Sequence, residues 1–127
     1  MGNAAVLDKE TGLVWEQSPN SSDFFWYLAH DHCLSLTVGN RMGWRLPTIQ
    51  ELSSLVDPSV GPPGPTLPGG HPFQNLIAGG YFSASTHPQF PTWVLVVDFY
   101  NGVVINGTKD GKGFVWCVRG GQGVDPQ

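Results

Sequence analysis

The chain has 127 residues and a net charge of −4; only 13% of residues are charged, while Gly and Pro fill 17 and 11 positions. That much Gly and Pro excludes a coiled coil or helix bundle, and 40% hydrophobic with 12% aromatic residues excludes a disordered chain. Six scattered Lys and Arg make no basic stripe, which excludes a nucleic-acid partner, and no apolar run approaches the roughly 20 residues of a membrane span.

The length fits one domain, 1–127, with a core over about 6–121. Met1-Gly2-Asn3 carries no basic or apolar leader, so the chain reads as cytosolic or as an exported domain whose leader has been removed.

In chain order, Val6 to Trp15 reads as strand, turn and strand, with Thr11-Gly12 at the turn. Ser18 to Asp23 is a cluster of turn and N-cap residues. Phe25, Leu28, Ala29, Cys33 and Leu36 then recur at helical spacing, which predicts a helix from about Ser22 to Leu36, stopped at Gly39-Asn40. Thr48 and Glu51 form a capping box at the start of a second, short helix, which carries Ile49, Leu52, Leu55 and Val56 and ends near Asp57-Pro58.

Asp57 to Pro72 is dense in Pro and Gly and predicts a long irregular loop. Gly61 to Thr66 looks like two collagen triplets, but the register fails at Leu67, so a stiff polyproline-like loop is the expectation. The last third reads as strands: Tyr81–Thr86, then Trp93–Tyr100 with Trp93, Leu95, Val97 and Phe99 on one face. A type I′ turn follows at Asn101-Gly102, then Val103–Ile105, a loop Asn106–Gly113 and a final strand Phe114–Arg119. Two helices beside an antiparallel sheet make the fold class α+β.

Cys33 and Cys117 lie 84 positions apart, without metal-finger spacing. They read as a disulfide, as two buried thiols or as a nucleophile, in that order of preference; a disulfide implies an oxidising compartment. His30, His32, His71 and His87 show no zinc spacing and read as solvated or locally hydrogen-bonded, so no metal and no cofactor are expected.

The ordered segments Thr11-Gly12-Leu13-Val14-Trp15, Trp44-Arg45-Leu46-Pro47-Thr48 with Glu51-Leu52, Tyr81-Phe82-Ser83-Ala84-Ser85, and Phe114-Val115-Trp116-Cys117-Val118-Arg119-Gly120-Gly121 resemble the Lcl C-terminal domain family, which is named for a collagen-like bacterial adhesin. The resemblance covers about residues 6–121. It implies a C-type lectin-like fold: two helices on a small twisted antiparallel sheet with a long Pro/Gly-rich loop, and a disulfide joining the first helix to the last strand, where Cys33 and Cys117 would stand. It implies a bacterial, extracellular or surface-displayed domain that binds a glycan or protein and is no enzyme. The formylglycine-forming enzyme of that superfold uses cysteines of its own, whereas both cysteines here match the structural pair.

The lectin triplets Glu-Pro-Asn, Gln-Pro-Asp and Trp-Asn-Asp are absent, and Asp57 is the one acidic residue of the long loop, so binding without calcium is expected. An acidic chain also suits sulfated glycans poorly. Binding falls to loops 61–72, 87–91 and 106–113, expected at one end of the domain, with Tyr100, Asn101, Asn106, Lys109, Asp110 and Lys112 as ligand-binding candidates. The alternative is a subunit of a self-assembling oligomer or fibre, favoured by uncharged surface. Trp15, Trp44 and Trp116 read as core, and Asp98 as a solvent-facing carboxylate.

Overall fold

The computed structural model describes residues 5–19, 22–36 and 43–120. The expected helix stop at Gly39-Asn40 lies outside them. The chain is α+β, with two short helices and eight strands among the described residues.

Strands β1 (Ala5–Leu7) and β2 (Leu13–Glu16) form the expected hairpin, with Val6 opposite Trp15. Gly12 takes φ +78°, where glycine bears no Cβ penalty, and its N–H closes the turn onto the Asp8 carbonyl at 2.8 Å. The last strand, β8 (Val118–Gly120), pairs with β2 and completes a three-stranded sheet.

A second sheet has the order β3–β7–β4–β5–β6, built from Asp23–Phe25, Lys112–Phe114, Gly80–Thr86, Trp93–Asp98 and Val103–Thr108. The expected single antiparallel sheet is thus two sheets, and β4 meets β7 in parallel at Tyr81 and Phe114.

Helix α1 spans Trp26–Ser35, not Ser22–Leu36. Asp23–Phe25 is withdrawn into β3 because Lys112–Phe114, almost 90 positions away, offers it a ladder. The buried stripe shifts with the start. Trp26, Ala29 and Cys33 face inward, whereas Phe25 and Leu28, expected on the core side, are exposed. Trp26 also donates its indole N–H to the Ser83 carbonyl at 2.9 Å.

Helix α2 (Ile49–Ser53) has the capping box expected of Thr48 and Glu51. The same glutamate takes a two-pronged pair from Arg45 at 2.8 and 2.9 Å, and Arg45 donates also to the Gly120 carbonyl. Burial raises the Glu51 carboxyl, but hydrogen bonds from Arg45 and Thr48 outweigh it and hold the group below its ordinary value. The backbones of Arg45 and Val118 bridge in both directions. Trp44 and Leu46 are fully buried. The Trp-Arg-Leu-Pro-Thr segment therefore clamps α2 to the chain's closing strand.

No helix or strand lies between α2 and β4. The segment is tied down by the Asp57 N–H on the Thr66 carbonyl and the Thr66 N–H on the Phe99 carbonyl, with Thr66 and Leu67 buried. Gly61 to Gly64 is a turn, its Gly64 N–H on the Gly61 carbonyl, where a stiff polyproline run was expected; a polyproline helix has no internal hydrogen bonds.

Two apolar clusters make the core. Trp15, Leu52, Tyr81, Val97, Phe99 and Trp116 lead one; Trp26, Trp44, Phe82, Val94, Val96 and Val115 lead the other. Strand β5 feeds both, so it is buried on both faces rather than on the one expected. The expected final strand Phe114–Arg119 is broken: Val115, Trp116 and Cys117 cross between the sheets, all fully buried. Cys33 and Cys117 form a disulfide there, with Cα atoms 5.5 Å apart.

Candidate functional site

The six ligand-binding candidates divide among four places: the loop after β5, strand β6, the turn after β6 and strand β7. Tyr100 and Asn101 sit in the loop joining β5 to β6. Asp98 pairs with Val103, so this loop has four residues, and only Gly102 of them has positive φ, +80°. The expected two-residue type I′ turn needs positive φ at both central positions and is not formed. Phe99 explains the difference: it is pulled into the core and its carbonyl is held by Thr66, which ends the ladder early. The Asp98 carboxylate accepts the Tyr100 N–H, and the Asn101 side chain accepts the Val103 N–H, so both polar groups serve the turn itself.

Asn106 is not in a loop. It lies in β6 opposite Leu95, exposed on the sheet's edge strand. Lys112 is likewise in a strand, opposite Phe25, with Nζ 5.2 Å above the Phe25 ring.

Lys109 and Asp110 occupy the turn between β6 and β7, at the far end of the β5–β6 ladder from Tyr100. Six paired positions separate the two ends, on the order of 17–20 Å of extended chain. Pro91 of segment 87–91 meets Lys109 and Asp110 at this end, where the Lys109 N–H donates to the Thr92 carbonyl. Residues 64–66 pack at the Tyr100 end, with the Thr66 N–H on the Phe99 carbonyl, and 67–72 run beside β1. The three loops expected together are therefore split between both ends.

At the Lys109 end an open groove of about 430 Å³ is lined by Phe25, Tyr27, Pro91, Thr92, Lys109 and Asp110. Tyr27 is 65% exposed and Phe25 42%. The walls are well supported. The Lys109 backbone is held at both its N–H and its carbonyl, the latter by Trp26, and its ammonium lies 4.4 Å from the Trp26 ring centre. Phe90, Trp93 and His87 pack against one another just beyond, His87 edge-on to Trp93 and the other pairs tilted, with the Phe90 and Trp93 rings 4.7 Å apart. His30 presses edge-on against Trp26 at 4.4 Å; burial lowers its imidazole below the ordinary value, Asp31 opposes that and Lys109 adds to it.

The groove offers flat apolar area beside one cation, one carboxylate and two hydroxyls, those of Tyr27 and Thr92, which suits a ligand with both rings and hydrogen-bonding groups. Sequence reasoning named Lys109 and Asp110 and, through loop 87–91, Pro91, all of which line this groove; it missed Phe25, Tyr27 and Thr92. Tyr27 carried a readable signal: it is a large aromatic at a helical position off the buried stripe.

Comparison with models of protein families matches the Lcl C-terminal domain over residues 4–119. The chain belongs to the Lcl C-terminal domain family. That family is one of bacterial surface-associated domains. No curated protein matches the chain. The segments through which the chain resembles the Lcl family are structural: Trp44 to Thr48 clamps α2, and Cys117 to Gly120 carries the disulfide and β8. The groove at Tyr27 lies outside them. Among the described residues no helix is long and apolar enough to cross a membrane.

Proposed function

We propose that this Lcl C-terminal domain is a non-enzymatic, exported or surface-displayed binding domain with a C-type lectin-like architecture, and that its glycan or protein ligand lies in the groove at Tyr27. The observation that carries this reading is the concave patch of exposed aromatic surface, framed by Lys109 and Asp110, on a body cross-linked by a disulfide. Walls held by backbone hydrogen bonds lose little entropy on binding. The disulfide supports an oxidising destination. Binding is calcium-independent on this reading: the long loop offers a single carboxylate, Asp57, where calcium wants several, and its Oδ1 already accepts the Ser59 N–H and hydroxyl.

The test is an array of neutral, sulfated and sialylated glycans, together with whole-cell binding, read with and without EDTA. Binding that falls at least tenfold in Tyr27→Ala at unchanged melting temperature supports the groove. Binding indifferent to Tyr27→Ala, or abolished by EDTA, overturns it.

A specific observation also favours the self-assembly reading. Strand β6 is an edge strand whose Val103, Val104 and Ile105 are 46%, 50% and 41% exposed, and it carries no charge. Such an edge is a template for strand pairing with another copy. Light scattering of wild type and Val104→Lys separates the readings: a monomer at all concentrations overturns assembly, and an oligomer dissolved by Val104→Lys supports it.

A further inference from the structure

One donor atom each from Glu16, His32 and Cys117 lies within 4.8 Å of the other two, although the elements that carry them come from both sheets' surroundings and from α1. Cys33 is not one of these three mutually close donors; its sulfur reaches the group only through its bond to Cys117. His32 Nε2 is one of two buried side-chain nitrogens without a hydrogen-bond partner among the described residues. Glu16 is only 5% exposed. Neither the ligand groove nor the edge strand uses these four groups.

We propose that the dithiol form of this chain, before its disulfide closes, binds one zinc-like divalent cation through Cys33, Cys117, His32 and Glu16, and that disulfide formation abolishes the site. Two thiolates, an imidazole and a carboxylate are a donor set suited to tetrahedral zinc. Zinc–donor bonds of about 2.0–2.3 Å place neighbouring donors roughly 3.3–3.8 Å apart, so the Glu16, His32 and Cys117 donors close by about 1 Å. The cysteine Cα separation of 5.5 Å leaves room for two thiolates on one ion.

Two donors are already aimed. The Glu16 carboxylate is steered by the Cys117 N–H at 2.8 Å, and the His32 ring is stacked on Phe24 with centroids 4.8 Å apart. Such outer contacts fix ligand orientation. The balance is simple. Metal binding releases the two thiol protons. Oxidation of the free dithiol instead joins the two sulfurs and passes two electrons and two protons to a disulfide oxidant, which leaves as a dithiol; from the cation-bound dithiolate the same step releases the cation, and the oxidant's two protons come from solvent. The cation and the disulfide are alternative cross-links between α1 and the segment entering β8.

The experiment titrates tag-free protein with cobalt(II), a spectroscopic substitute for zinc, in two states: oxidised, and reduced by a phosphine under anaerobic conditions. The expected result is one equivalent of cobalt in the reduced chain, with tetrahedral d–d bands and a thiolate charge-transfer band, bleached by zinc and by a disulfide oxidant. The oxidised chain shows neither band. His32→Phe keeps the ring stack and removes the donor; it and Glu16→Gln each weaken cobalt binding at least tenfold, while their oxidised forms keep the wild-type near-UV dichroism. If the reduced chain is unfolded without metal, return of that near-UV signal on adding zinc supports the site, and metal uptake without it overturns it. Octahedral cobalt only, equal uptake by the oxidised chain, or unchanged affinity in both variants also overturns the proposal.

Discussion

Glu16 is a carboxyl placed where water scarcely reaches it, and its replacement by glutamine tests how the core tolerates charge. Burial raises its pKa from 4.5 to about 7, against the opposing effect of the Cys117 N–H it accepts. The folded chain therefore holds this proton more tightly than the unfolded chain. The associated stability is complete below pH 4.5 and is lost as pH rises through about 7. A shift of that size corresponds to about 3 kcal/mol at 1.36 kcal/mol per unit. Glu16→Gln keeps an oxygen for the Cys117 N–H and removes the charge. It should match wild type near pH 4.5 and exceed it by up to about 3 kcal/mol at pH 8. The measurement is urea denaturation of both oxidised proteins at half-unit pH steps. His30 and His32, lowered chiefly by burial, contribute with the opposite sign: their stability is present above the ordinary histidine value and is lost as pH falls. Both proteins share those histidines, so the contribution of His30 cancels in the difference curve, and any part that His32 adds reflects its own proximity to Glu16. A difference that does not change between pH 4.5 and 8 would refute the reasoning.

Three further outcomes follow from the same contacts. Cys33→Ser removes a cross-link between positions 84 apart and should cost about 4–5 kcal/mol in the chain-entropy account, measured by urea denaturation against wild type; a midpoint unchanged by the substitution would contradict it. Arg45→Ala strips Glu51 of its paired cation and the Gly120 carbonyl of a donor, and a loss of about 2–3 kcal/mol is expected by the same assay; a change below about 0.5 kcal/mol would count against the clamp. Gly64→Ala sets a Cβ against the Phe99 backbone carbonyl at φ +67°, so it should lower the melting temperature in calorimetry, at a cost of about 2 kcal/mol or more.

Local chemistry was legible wherever the determining atoms are neighbours in the chain. The Thr48–Glu51 capping box, the Gly12 turn and the β1–β2 hairpin all rest on contacts no more than eleven residues apart, and they formed as read. The order of the predicted helices and strands placed the chain in the α+β class, and the segments around Trp15, Trp44 and Trp116 marked core tryptophans, which are fully buried. Composition and resemblance together foresaw the Cys33–Cys117 bond.

What the tertiary structure alone decided depends on partners far away in sequence. Asp23–Phe25 leaves the helix for a ladder with Lys112–Phe114, and that change turns Phe25 and Leu28 outward. Phe99 leaves its strand because Thr66 holds its carbonyl, and this sets the four-residue loop at Tyr100. The groove at Tyr27 draws on β3, α1, the turn before β5 and the turn after β6. Glu16, His32 and Cys117 converge across 101 positions. Periodicity reports which face of an element is apolar, but the pairing of one strand with another is a long-range choice, made by whichever ladder and core bury the most surface with their hydrogen bonds satisfied.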